Sequence, residues 1–516
     1  MTSRVAFDRH EVAIGKGKRL SVLTGFLLGG PMADVAVLNV NGEGERRLRL
    51  FVLHDGNGSE RLNTRLRPGV LFADIATIGG RDRLVTYEPG RLNWFDPESA
   101  TERKLVSSSC SFDRPRKDEL PHVDVTHDLN DDGLTDLAVP VADGFRVFIQ
   151  RGDGAFAEPV TIGRAVSMAR IRGADGYRYS PWSQSRIHRV DYNRDGRVDL
   201  AHWDKTHFTV HPQDKQGLFS AGTASMSSEV VFDSDDLDSL ATGDMTGKVL
   251  HSVSDMNGDG IADLVIFSLE GRQLSAKRSS FRIHFGEPTA SGGTRFQPEA
   301  GAVLRSGNRI QIGMSRHDFG GDSPGGLMVT AIDRKFLKGS LWKSLKGFMG
   351  DDISLNLEFY RLTGGRFADA PGTTIRTALD GVPSHREPGW VPLDVLLQGG
   401  KHENRKRKKN WPRAFNNALL IGDVTGDGHS DLLIGGHPRH LAIYPGAPGP
   451  GLFSRPTQDL AAPISNDEEY IWLMDLNRDG RQDIVMHHPF TLRDGHGTPL
   501  RPPGTEPQRV TLFIAR

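Results

Sequence analysis

Asp255-Met256-Asn257-Gly258-Asp259-Gly260-Ile261-Ala262-Asp263, followed at once by Leu264-Val265-Ile266, decides how this chain is read. Oxygen-bearing side chains stand at positions 1, 3, 5 and 9 of the stretch, and glycine at position 6. The same spacing returns in Asp128-Asn130-Asp132-Gly133-Asp136, Asp191-Asn193-Asp195-Gly196-Asp199, Asp423-Thr425-Asp427-Gly428-Asp431 and Asp475-Asn477-Asp479-Gly480-Asp483. Carboxylates clustered this closely repel one another unless a cation lies among them. A hard divalent ion such as Ca²⁺ takes about six to eight oxygens, with glycine where its loop turns sharply. The five separated copies therefore predict about five calcium sites.

The residues after each loop exclude two other calcium architectures. An EF-hand closes with a bidentate Glu at position 12 and continues into a helix. Here position 12 is Val139, His202, Ile266, Ile434 or Met486. A dockerin loop also wants an acid there and then a helix. From position 9 the chain instead reads Asp136-Leu-Ala-Val, Asp199-Leu-Ala-His, Asp263-Leu-Val-Ile, Asp431-Leu-Leu-Ile and Asp483-Ile-Val-Met. Short branched apolar runs bounded by turn residues are strands. Each loop thus sits inside a β-hairpin, and its ninth-position Asp opens the returning strand.

Around these hairpins the chain repeats. An alternating apolar strand follows, such as Phe145 to Ile149, His207 to Val210, Phe281 to Phe285 and Leu441 to Tyr444. A turn comes next, often with Gly-x-Phe, as at Gly154-Ala-Phe156, Gly217-Leu-Phe219 and Gly451-Leu-Phe453. Three further units lack the full ligand set: Ala33 to Val52, Asp74 to Phe95, and Asp318 to Phe367. In the second of these, Asp74 falls at the first loop position, with Ala76 and Ile78 where oxygens belong. Eight units of roughly 50–65 residues predict an all-β fold, an eight-bladed β-propeller with seven blades as the alternative. The last unit is one strand short, and the segment from Arg4 to Ile14 is unassigned. The N-terminal segment is therefore predicted to supply the outer strand of the last blade, leaving no large exposed edge.

Composition agrees with a turn-rich β protein: 60 glycines, 29 prolines and 37% hydrophobic residues in a chain of 516. The reading is one propeller domain over residues 1–516. A formal charge of −1 implies no general nucleic-acid field. The single Cys110 excludes an intramolecular disulfide. No apolar run is long enough to predict a membrane span. Lys16 to Ala33 has a basic cluster before an apolar stretch, but Ser21, Thr24 and Gly25 dilute it, and it reads as the first strand of the fold.

Two segments break the repeat in and after the sixth unit. Within 333–352, Leu337, Leu341, Leu345 and Phe348 or Met349 share one helical face, which predicts an insertion helix packed on its own blade. The alternative is a helix that lies on a membrane or partner. Within 373–413, the run Lys401-His-Glu-Asn-Arg-Lys-Arg-Lys-Lys-Asn-Trp-Pro-Arg413 reads as a solvated basic loop, with an anionic partner as its functional alternative.

These residues resemble the FG-GAP/VCBS repeat family, whose best-known fold is the integrin α-subunit propeller. The resemblance implies Ca²⁺ in hairpin loops on one face, usually outside the cell. It carries the ligand roles to Asp128, Asn130, Asp132, Asp136 and their counterparts above. It adds position 7 as a main-chain ligand: Leu134, Arg197, Ile261, His429 and Arg481. Thr425 is a weaker donor than Asn. Extracellular modules bind calcium at about 10⁻⁴–10⁻³ M, so such sites stay largely empty in cytosol. A periplasmic, cell-surface or secreted location is therefore expected.

No zincin or P-loop signature is present. Gly321-Asp-Ser323-Pro-Gly325 lies in a degenerate loop and reads as a turn rather than a nucleophile elbow. His127, His202, His487 and His488 read as structural histidines rather than a base or ligand. The expected function is a binding or adhesion module for a protein or glycan, with Trp182, Trp342, Trp390 and Trp411 as candidate contact residues. The alternative is a polysaccharide lyase-like enzyme using arginines of Arg170 to Arg178 and Arg186 to Arg189. A third reading is a subunit of a surface or toxin assembly.

Overall fold

The computed structural model describes the chain outside residues 1–4, 18, 55, 113–114, 165–177, 222–223, 237–239, 241–245, 272–275, 320–325, 335–352, 380–418, 437–439, 449–452, 454–457, 462–470 and 489–506. The expected insertion helix, the basic run, Ser323, Trp342, Trp390 and Trp411 lie outside the described residues.

What is described is β-strand, turn and loop with short 3-10 turns, such as Trp182–Gln184. Most strands group into antiparallel four-stranded units, with parallel bridges where Phe7–Gly15 meets Asn57–Arg65 and where His122–Val123 meets Phe72–Ile78 and Arg178–Tyr179. The unit of the opening loop comprises Gly247–Ser254, Asp263–Glu270, Arg278–His284 and Ala302–Leu304, hydrogen-bonded in that order. Its first hairpin runs Ser254↔Asp263 back to Gly247↔Leu269, so the nine-residue loop joins two paired strands. The loops after Val190, Gly422 and Met474 join hairpins in the same way. After the third strand the chain turns through a left-handed glycine, Gly154 at φ 82° or Gly217 at φ 81°. The phenylalanine two residues on pairs back, Phe156 with Gln150 and Phe219 with Gln213. This is the physical content of the Gly-x-Phe motif: only glycine takes that turn without strain.

The N-terminal strand Phe7–Gly15 pairs antiparallel with the final strand Gln508–Ala515, from Phe7↔Ala515 to Val12↔Val510. It completes the unit of Ile471–Met474 and Asp483–His488. Ser21–Gly25 is a strand, paired with Asp34–Val40, as expected for the stretch with a leader-like appearance. First and last units also share a core: Val12, Ile14, Leu20 and Val35 pack with Leu476, Val485 and Leu512. Burying each such side chain contributes about 1.5–3 kcal/mol, so the closure is held by packing as well as by the ladder.

Two expectations change. Asp74 does not begin a loop. It lies within the strand Phe72–Ile78, and the turn is made by Gly79 and Gly80 at φ 58° and 75°. Buried there, Asp74 accepts hydrogen bonds from Val125 N and pairs with His122 Nε2, both at 2.8 Å. The segment expected as a loop from residue 373 begins with a strand, Thr373–Leu379, paired along Ile353–Tyr360. Alternation of Thr373, Ile375 and Thr377 with more exposed neighbours is the strand pattern that the downstream charge run obscured.

Among the described residues no helix is long and apolar enough to cross a membrane.

Candidate metal centres

Each of the five loops is a cage of oxygens wrapped by its own backbone. The position-1 carboxylates of Asp128, Asp191, Asp255, Asp423 and Asp475 accept the N–H of the position-6 glycine at 2.8–3.0 Å. The position-5 carboxylates of Asp132, Asp195, Asp259, Asp427 and Asp479 accept the N–H of Leu134, Arg197, Ile261, His429 and Arg481 at 2.8–3.0 Å. At position 3, the side-chain amides of Asn130, Asn193, Asn257 and Asn477 donate to that same carboxylate at 2.8–3.0 Å. Thr425 reaches Asp423 and Asp431 only at 3.4 Å.

Position 6 needs glycine because its φ lies between 79° and 86° in all five loops. Position 4 is left-handed too: Asp131, Arg194, Gly258, Gly426 and Arg478 have φ from 58° to 77°. Sequence reasoning missed this, though glycine in two of the five was the signal. Position 2 is a second omission. Leu129, Met256, Val424 and Leu476 there are buried and anchor the loop to the core.

The ninth-position acids differ from the rest. Asp136, Asp199, Asp263, Asp431 and Asp483 are wholly buried. One carboxylate oxygen accepts the N–H of position 2 at 2.8–3.0 Å. The other accepts an N–H from the end of the third strand or just beyond it, from Gln150, Gln213, Gly286, Gly446 or Ala515, at 2.7–2.9 Å. The acid thus ties loop, second strand and third strand together. Burial pushes Asp136 and Asp263 up to about 7 and Asp483 up to about 6, against the pull of these amides and with the loop's other acids adding to the rise. Asp34 makes the same kind of clamp on Leu28 N at 2.7 Å, in a loop whose other positions carry no acid. The clamp therefore exists without the cage.

Among the described residues no three carboxylates, imidazoles or thiolates form a metal cluster by themselves. The donor set is mixed, with amide, hydroxyl and main-chain oxygens beside the acids, and this all-oxygen chemistry suits Ca²⁺ rather than a softer ion. Each acceptor oxygen keeps a further lone pair beyond its bond to N–H. Arg197 pairs with Asp195 in its own loop, which lowers the negative charge there relative to the Asp255 loop.

The outward carbonyls of the loops are engaged by the following unit. Asp128 O accepts from Arg189 at 2.9 Å and Asn130 O from Gln213 at 2.8 Å. Tyr192 O accepts from Thr294 at 3.2 Å, and Asp255 O from Arg316. Asp423 O accepts from Gln482 N and Leu476 O from Ala33 N, both at 2.7 Å. All five loops are thus seams between units, and the last of them meets the first unit.

The chain is an all-β repeat protein with a β-propeller-like fold. Residues 423–486, which hold the Asp423 and Asp475 loops, match the FG-GAP-like repeat model. No curated protein matches the chain. Among solved structures it is similar to an Agrocybe aegerita lectin described as recognising non-reducing terminal N-acetylglucosamine, at 14% identity over 71% of this chain and 80% of that one, TM-score 0.33. It is also similar to the Vibrio cholerae biofilm matrix protein Bap1, at 12% identity over 98% of this chain and 88% of that one, TM-score 0.34.

The other candidates among the described residues make the following contacts. Trp182 packs edge-on against Phe145 with centroids 5.2 Å apart. His202 stacks on His211. His487 meets Gln508 at 2.9 Å and His488 meets Thr511 at 3.1 Å, all in one ladder. His127 lies 3.7 Å from Asp124.

Proposed function

We propose that the chain is a calcium-stabilised, eight-bladed β-propeller that works outside the cytoplasm as a binding or adhesion module for a glycan or protein ligand. The observation that carries this reading is the double use of each acidic loop, as a cage of oxygens within one unit and as the surface on which the next unit docks. Ca²⁺ would be held by positions 1, 3, 5 and 9 and the position-7 carbonyl. When bound it neutralises clustered negative charge and supplies no reaction. Ordering a loop then orders a seam, so the ion would stiffen the whole ring. Sites of the expected millimolar class fill outside the cell and not in cytosol. A rigid ring presenting loops suits recognition, since binding residues are readily placed on loops held by a stable scaffold.

The test is a glycan array and a pull-down, each run with calcium and with EGTA, alongside thermal melting. Calcium should raise the melting temperature and at least one ligand should be retained in calcium only. Melting indifferent to EGTA would remove the metal from the account. Silence of both screens would remove the binding role.

A further inference from the structure

A cavity of about 300 Å³ opens among the first strands of three consecutive units, Ile187–Val190, Gly247–Ser254 and Arg309–His317. Its wall includes Arg186, Arg316, His188, His251, Ser252 and Ser254, and among the described residues no carboxylate lines it. Arg186 is buried. It donates through Nε to Asp235 O at 2.9 Å and through Nη2 to Leu250 O, both main-chain carbonyls. The nearby Asp235 carboxylate is engaged by Arg164. Among the described residues no acid forms an ion pair with Arg186. The Asp235 and Asp236 carboxylates offset part of its charge from nearby, and its remaining guanidinium N–H groups can still donate to an anionic partner.

Two further observations mark the place. Arg186 has φ 57°, a left-handed conformation that costs a non-glycine residue about 1–2 kcal/mol. Such strain persists where the surroundings impose it, often at binding sites. His188 is buried, its Nδ1 accepts from Val253 N at 3.4 Å, and its Nε2 has no hydrogen-bond partner among the described residues. Arg316, exposed at the rim, reaches across to Asp255 O.

We propose that this cavity binds the carboxylate of an acidic saccharide, with Arg186 at its base and Arg316 at its rim. The planar guanidinium matches a carboxylate in bidentate fashion. The Ser252 and Ser254 hydroxyls can donate to and accept from sugar hydroxyls. The volume falls at the lower end of small-ligand sites, about 300–1,000 Å³, and so suits one or two sugar rings. The inference rests on the binding-module reading and names its ligand class.

Isothermal titration with methyl glucuronide and methyl galacturonide, against the matched methyl glucoside and galactoside and a short poly-glutamate peptide, tests it. One uronide should bind at least about tenfold more tightly than its neutral partner, weakening as salt rises. Arg316→Gln should lower the affinity for the uronide about tenfold and leave that for the neutral glycoside unchanged, a selectivity that loss of its seam contact with Asp255 O would not produce. Arg186→Lys should keep part of the binding and Arg186→Gln abolish it. Equal binding of acidic and neutral sugars, tighter binding of the peptide, no saturation by either uronide, or indifference to Arg316→Gln would each overturn the proposal. If a neutral glycan or a protein still binds in that case, the module reading stands and only this site falls.

Discussion

Arg189 donates from Nη1 to the main-chain carbonyl of Asp128 at 2.9 Å, and its other terminal nitrogen pairs with Asp131. The arginine opens one unit while the two acids belong to the loop of the unit before it. Arg189→Ala should therefore loosen a seam. The expected cost is about 1 kcal/mol, read as a lower urea midpoint. A neighbouring exposed arginine without such a contact, Arg194, is the control.

Charge removal at position 5 should change sign with the metal. Asp259→Asn takes away one cage acid from a loop in which no arginine pairs with it among the described residues. With saturating calcium the variant should lose about 1–3 kcal/mol and one equivalent in a calcium titration. In EGTA the same change relieves repulsion, so stability should be unchanged or slightly higher. A loss of equal size in both buffers would show that the acid is structural only.

The clamp and the cage separate at Asp34. Asp34→Ala leaves the part-buried Leu28 N–H without its acceptor, which costs about 1 kcal/mol. That loss should be the same with calcium and with EGTA, because the loop has no other acid. Asp136→Ala should lose more in calcium than in EGTA. Paired urea melts decide it.

Acid should weaken the closure. Burial pushes His488 down to about 3 and His487 to about 4. The unfolded chain takes up protons on both below pH of about 6.5, while the folded chain does not. Their stabilising contribution is thus full above pH of about 6.5 and is lost as pH falls toward 4. For His488 alone the loss at pH 5 is about 2 kcal/mol. Asp34 and Asp483, raised by burial to about 6, and Asp136 and Asp263, raised to about 7, act in the opposite direction over the same range. Comparing His488→Gln with the parent isolates the histidine: the variant should show a flatter fall in melting temperature from pH 7 to 5.

Backbone strain at position 4 offers a gain. Arg194 has φ 58°, and Arg194→Gly should stabilise by about 0.5–1 kcal/mol. Arg478→Gly should give less, since it also removes the guanidinium lying 3.8 Å over the Phe26 ring. Thermal melts of the two variants test the difference.

Much of the fold could be read from local pattern. Five acidic loops, each followed by a branched apolar run, fix hairpins, because side-chain alternation and turn chemistry act between near neighbours. The strand-short final unit even pointed to Phe7–Gly15, since an unpaired ladder edge must be covered. Local pattern failed at Asp74, where a carboxylate that looked like a loop ligand is a buried partner of His122. It also could not show that Asp128 O meets Arg189, or that Arg186 and Arg316 line one cavity. Sequence spacing encodes what a segment of a few residues does to itself. Contacts between units 50 or more residues apart in chain depend on how the twisted sheets pack, and only the tertiary structure decides those.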